Sequence, residues 1–268
     1  MSSAAALKAR KYLVAASASA RARAAYRGDF LGSVIAYCLF VFVFSRVWRS
    51  AYAARPSIAG YDYAMSLWYF VVAEIPYFGS SGHFRELAGD IKSGQVAYLV
   101  ARPYGFVGYR FAQAAGSSLV AVLPILGAGA ALGGLVAGPP PLGSAAQAAL
   151  LAASLALALA LQILLQLALA LTAFWVEENS AFLWIYQKLA LVAGTLLPLE
   201  FLPETASRIA RWTPFPALAY APARILVAFA PGPSLRLLGA QAAWCAAAWI
   251  LCLALYGRGR RRLVSQGG

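Results

Sequence analysis

The sequence predicts an all-α polytopic membrane protein: six transmembrane helices, an N-terminal interfacial helix, and short re-entrant helices before the last crossing. Three observations carry that reading. The chain is 62% hydrophobic and 12% charged, whereas a soluble domain averages about a quarter charged. Its 268 residues contain long apolar runs on the scale of a bilayer crossing, about 20 residues each. The net charge of +13 is spread over the ends of those runs rather than gathered on one soluble module, which favours membrane topology over nucleic-acid binding.

Residues 1–28 are Ala-rich and basic, with Lys8, Arg10, Lys11, Arg21, Arg23 and Arg27. They predict a helix lying on an anionic membrane surface, with a cytosolic tail as the alternative. The apolar YLVAA is short for a signal peptide, and arginines follow it directly, so the segment is read as retained. The transmembrane domain occupies 29–257. Its first crossing begins in the uncharged run 30–45 and ends near Trp48, an interfacial anchor. A second, 63–79, contains Glu74 and Pro76 and is neither clean nor straight. A third, 106–137, is interrupted by Pro124 and closes in GPPPLGS at 138–144.

The fourth crossing, 145–175, is nearly all Ala and Leu apart from Gln162 and Gln166, which are four residues apart and share a helical face. WVEENS at 175–180 turns the chain into a fifth, 181–197, which carries Lys188. Prolines divide 198–236 into apolar pieces too short to span, read as re-entrant or interfacial helices. A sixth crossing, 237–256, leads to a basic tail at 258–268.

Cys38, Cys245 and Cys252 form no metal or redox motif and read as small buried hydrophobes. With six crossings, Lys and Arg number six at the N-terminus, four in the loop of Arg85, Lys92, Arg102 and Arg110, and four in the tail. The positive-inside rule therefore puts both termini and that loop in the cytoplasm.

GSSG at 79–82 lacks the lysine of a phosphate-binding loop, and no GxxxxGK[ST] occurs, so the chain does not hydrolyse ATP by that route. The single histidine, His83, has no second histidine at metal spacing and no GxSxG, which argues against a zinc protease or serine hydrolase. GHFRELAGDIKSGQV predicts an amphipathic helix at 83–96. Phe84, Leu87 and Ile91 share one face, while Arg85, Glu86, Asp90 and Lys92 lie largely on others. Ser93-Gly94 ends it. Such a mixed-charge helix outside the bilayer reads as a docking point for a soluble partner, with a solvated loop as the alternative. Glu177 and Glu178 are the second candidates.

Three stretches, IKSGQVAYLVARPYGFVGYRFAQ, FWVEENSAFLWIYQKL, and PLEFLPE followed by RWTPFPALAYAPARIL, resemble ABC-2 type transporter permeases related to viologen exporters. The resemblance implies an N-terminal elbow helix, a coupling helix between the second and third crossings, and re-entry near Arg102-Pro103. It also implies an export subunit of the bacterial cytoplasmic membrane that is not itself an enzyme. Such a subunit binds no cofactor; Mg-ATP sits on separate ABC ATPase subunits beneath it, and a second permease, a sister chain or a copy of itself, pairs with it.

The alternative is an ion-coupled carrier or channel, suggested by Glu74 and Lys188 in apolar runs. The substrate-pathway candidates are Glu74, Gln162, Gln166 and Lys188. For Glu74 two readings stand: it reaches the headgroups or pairs with Lys188, or it faces a cavity among aromatic rings and receives a cation.

Overall fold

Helix formation follows the apolar runs until a proline, a glycine or a buried charge intervenes. The computed structural model of the chain describes residues 2–25, 27–80, 82–96, 105–195 and 197–266. The helices are α1 (Ser2–Ala25), α2 (Arg27–Ala53), α3 (Tyr63–Ala73), α4 (Ile75–Gly79), α5 (His83–Lys92) and α6 (Phe106–Ala137). After them come α7 (Ala145–Leu171), α8 (Ser180–Ala190), α9 (Glu204–Arg211), α10 (Phe215–Leu218), α11 (Tyr220–Val227) and α12 (Pro231–Gln266). No strand occurs among the described residues; a single bridge, Ile58 to Tyr61, closes the α2–α3 turn.

Among the described residues, four helices are long and apolar enough to cross a membrane: Leu31–Ala53, Phe106–Ala137, Ala145–Phe174 and Pro231–Arg262. Pro124 sits inside α6 without ending it. The other two expected crossings are interrupted. Glu74 is at once the last cap of α3 and the first of α4, and Pro76 stands in the first turn of α4, where a missing N–H is tolerated but continuation from α3 is not. The fifth run holds α8 for 11 residues, then a π-turn at Leu191–Thr195. Backbone that departs from a regular helix at membrane depth is tolerated where protein or a cavity covers it. Ser66 to Ala73 are accordingly all buried.

The basic segment from 258 is helical, because α12 continues through it to Gln266; GRGRRR contains no proline, and isolated glycines cost a helix only about 1 kcal/mol each. The N-terminal helix packs along the first part of α6, with the Tyr12 hydroxyl accepting from the Gly105 amide at 3.2 Å. At Gly116 a Cβ would stand 2.0 Å from the Ala16 carbonyl oxygen, so only glycine lets the two backbones meet. The amphipathic helix expected at 83–96 forms as α5, over His83–Lys92. Gly94 lies just beyond it with φ of 75°, the conformation that glycine adopts at least cost.

The long helices are joined by buried polar contacts. Gln241 of α12 accepts from Ser154 Oγ at 2.8 Å and donates to the Ala217 carbonyl at 2.8 Å. Gln147, at the start of α7, donates to the carbonyls of Ile225 and Leu226 at 3.1 and 2.8 Å. Cys252 is fully buried and donates to the Leu164 carbonyl at 3.3 Å. All three cysteines are unpaired thiols, in keeping with their reading as small apolar groups.

Candidate functional site

Both interruptions face the same space. A cavity of about 500 Å³ runs from Arg85 and Ser180, at the first turns of α5 and α8, to Thr195 and Ala219. Glu74 and Pro76 supply one wall, Gln162 of α7 another, and Trp184 and Lys188 of α8 a third. A second cavity of about 410 Å³ reaches Gly32 of α2 and Gln166 of α7. The two share Tyr77, Phe78, Phe84, Arg85, Leu183 and Gln187. Tyr69 anchors the π-turn by donating to the Gly194 carbonyl at 3.1 Å.

The four pathway candidates are thus gathered around these spaces, but not as first pictured. Glu74 is 2% exposed, so it does not reach the headgroups, and no ion pair joins it to Lys188 among the described residues. Its position is set by the α3–α4 break, which turns it inward rather than along a continuous helix face. Its Oε1 has no hydrogen-bond partner. Gln162 is likewise 2% exposed; its Oε1 accepts from the Tyr186 hydroxyl, and its Nε2 has no partner. Gln166 donates to Ser80 Oγ at 3.4 Å, just beyond α4. Lys188 is exposed on α8.

The docking candidates divide in the same way. Phe84, taken from the sequence as a docking contact, is 4% exposed and packs in the core with Leu87 and Ile91. Its apolar face is the one that α5 buries, so it cannot meet a partner in this conformation. Asp90 is ion-paired with Arg110 of α6, and the Arg110 guanidinium lies 5.8 Å from the Phe106 ring centroid. Arg85 is exposed yet lines both cavities.

Glu86, Lys92, Glu177 and Glu178 remain outward. Lys92 and Glu178 approach to 4.0 Å, which joins α5 and the 175–180 turn in one surface. Glu178 accepts from the Ser180 amide at 2.9 Å; the Ser180 hydroxyl first, then that amide bond and the Lys92 charge, hold its carboxyl below the usual range. His83 Nε2 contacts Ser118 Oγ at 2.8 Å; burial, and then the nearby Arg23 charge, pushes it down to about 4. The expected re-entry point Arg102-Pro103 lies outside the described residues.

One cluster went unnoticed in the sequence. Glu200 accepts from the Tyr220 hydroxyl at 2.7 Å and from the Tyr61 hydroxyl at 3.3 Å, with Arg224 Nε 3.5 Å away. It ties the α2–α3 turn to the proline-rich segment. The available signal was a lone acid inside PLEFLP, beside a Tyr and an Arg four residues apart in YAPAR.

No curated protein and no solved structure matches the chain. A family model for the ABC-2 family transporter protein does, over residues 34–267. That span begins within the first long apolar helix and takes in the other three, both interrupted segments and the cavity between them, and the chain belongs to the ABC-2 family of transporters as a multi-pass membrane component.

Proposed function

We propose that the chain is the permease subunit of an ATP-driven exporter, and that the cavity between the α3–α4 break and the α8 π-turn holds the cargo in transit. The observation that carries this reading is the meeting of both interruptions at one enclosed space. Broken helices are a recurrent way to build a transport site at membrane depth, and π-turns recur at functional sites. The cargo is a small amphipathic or cationic compound, or a lipid-like one, taken up among Tyr77, Phe78 and Trp184. In this reading the two interrupted segments are the second and fifth of six crossings, and both termini lie on the cytoplasmic side of a bacterial cytoplasmic membrane. The basic α1 then lies at that surface as an elbow.

The chain itself binds no cofactor in this scheme; Mg-ATP is held by two separate ATPase subunits. Their docking surface is formed by Glu86, Lys92, Glu177 and Glu178. A second permease, a sister chain or a second copy, covers α8. That face exposes Phe182, Ile185 and Leu189, continued by Val192 in the π-turn, and contiguous exposed apolar surface marks an interaction site.

The test is copurification with candidate ATPases, followed by charge reversal at Glu86, Glu177 and Glu178 together. ATPase association should fall about tenfold or more, the range of truncated docking contacts, with insertion unchanged. Uptake into ATPase-free vesicles driven by an ion gradient alone would instead support the carrier reading, with Glu74 and Lys188 on the ion path.

A further inference from the structure

Charge is distributed unevenly in the larger cavity. Three charged side chains line it, Glu74, Arg85 and Lys188. Among the described residues none of the three is ion-paired with another or with anything else. Glu74 is almost wholly buried, with one carboxylate oxygen lacking any partner, whereas Arg85 and Lys188 are exposed and reach the cavity from its rim.

An unpaired buried carboxylate is costly and is relieved by a cationic group that can also donate a hydrogen bond. Two unpaired cations at the rim disfavour a cargo that is only cationic and attract one that also carries an anionic group. Between them stand Tyr77, Phe78, Phe84 and Trp184, which suit an apolar body. Gln162 adds an unpartnered Nε2 donor in the same wall.

Resting on the cargo-site reading of this cavity, the geometry points to a zwitterionic amphiphile as the class of molecule it takes. The cargo's ammonium group is directed to Glu74, its carboxylate or phosphate to Arg85 and Lys188, and its apolar body lies against the rings. About 500 Å³ accommodates a drug-sized solute or the headgroup end of a lipid, so one chemistry has two sources, a soluble zwitterion or a zwitterionic phospholipid.

The experiment uses the full chain purified in an uncharged maltoside detergent, with binding read by calorimetry and by tryptophan fluorescence, since Trp184 lines the cavity. The soluble probes are leucyl-phenylalanine, its C-terminal amide and its N-acetyl form; the lipid probe is phosphatidylethanolamine in mixed micelles. The zwitterionic dipeptide should bind at least tenfold tighter than either singly charged form. Glu74→Gln should reduce it to the level of the N-acetyl form. Arg85→Gln combined with Lys188→Gln should reduce it to the level of the amide.

Phosphatidylethanolamine alone binding, with the same dependence on these variants, supports the proposal and assigns the source to lipid. Amide binding as tight as the zwitterion, or no binding of either zwitterion, overturns it. If the amide binds tightly and is lost in Glu74→Gln, the zwitterion proposal falls while the cavity stands as a cation site. If no probe binds and Glu74→Gln leaves export intact, the cargo-site reading falls with it.

Discussion

Polar residues occur both in the seam between α7 and α12 and in the wall of the cavity, and the two regions treat them differently. In the seam, Ser154 and Gln241 bond to each other, and Gln241 also satisfies the Ala217 carbonyl. In the cavity wall, Glu74 Oε1 and Gln162 Nε2 have no partner among the described residues, and Arg85 and Lys188 have no counter-ion among them. Buried polar groups are ordinarily hydrogen-bonded, so each exception calls for a cause. Intramolecular partners hold a scaffold together, while groups left without them are available to something from outside.

The contrast breaks most readily at Gln147, whose amide nitrogen serves the carbonyls of Pro141, Ile225 and Leu226 while its oxygen accepts from the Gly143 amide. Gln147→Leu should lower stability by about 2 to 3 kcal/mol, since it strands several buried backbone groups at once. Reversible unfolding in mixed detergent micelles reads this directly, and a loss under about 0.5 kcal/mol would mean that the joint between α7 and α11 does not depend on its hydrogen bonds.

The opposite sign is expected in the cavity. Glu74→Leu removes a buried carboxylate that has one oxygen unpartnered and no counter-ion among the described residues, so stability should rise by about 1 to 2 kcal/mol while cargo binding is lost. A destabilised variant would move Glu74 to the scaffold side of the comparison.

Legibility in the sequence followed the same division. Long apolar runs, the Gly94 stop and the shared face of Gln162 and Gln166 depend on local pattern, and each is visible in one segment of chain. Glu74 and Pro76 marked a disturbed crossing, but not that its break would meet the π-turn at Leu191–Thr195, because that meeting is between residues more than a hundred positions apart. Phe84 was misassigned for a related reason: amphipathicity shows that α5 has an apolar face, not whether that face turns to a partner or to its own bundle. The basic run from 258 has no stop signal, so composition alone could not say where α12 would end. The Glu200 cluster needed Tyr61, Glu200 and Arg224 brought together from separate segments, which no spacing rule encodes.

The smallest effect sharpens the comparison at the joint between α5 and α6, where His83 belongs to the satisfied class. Its Nε2 meets Ser118 Oγ at 2.8 Å, it is 7% exposed, and burial with the Arg23 charge pushes it down to about 4 from an ordinary 6.5 or so. Because the folded value is depressed, the unfolded chain binds the extra proton first as pH falls. Stability is therefore complete above about 6.5 and declines progressively between there and about 4, by about 1 kcal/mol at pH 5.5. The groups that face it from neighbouring elements include Ser19 of α1 and Ser117, Gln113 and Arg110 of α6, with Glu86 on α5 itself. Glu86 is exposed and is the acid nearest to it on α5, so Glu86→Gln is the control. His83→Gln keeps a partner for Ser118 and should flatten the acid limb between pH 6.5 and 5 while leaving stability near pH 7.5 little changed. An unaltered limb in His83→Gln would place the acid-sensitive group elsewhere and remove His83 from the scaffold joint between α5 and α6.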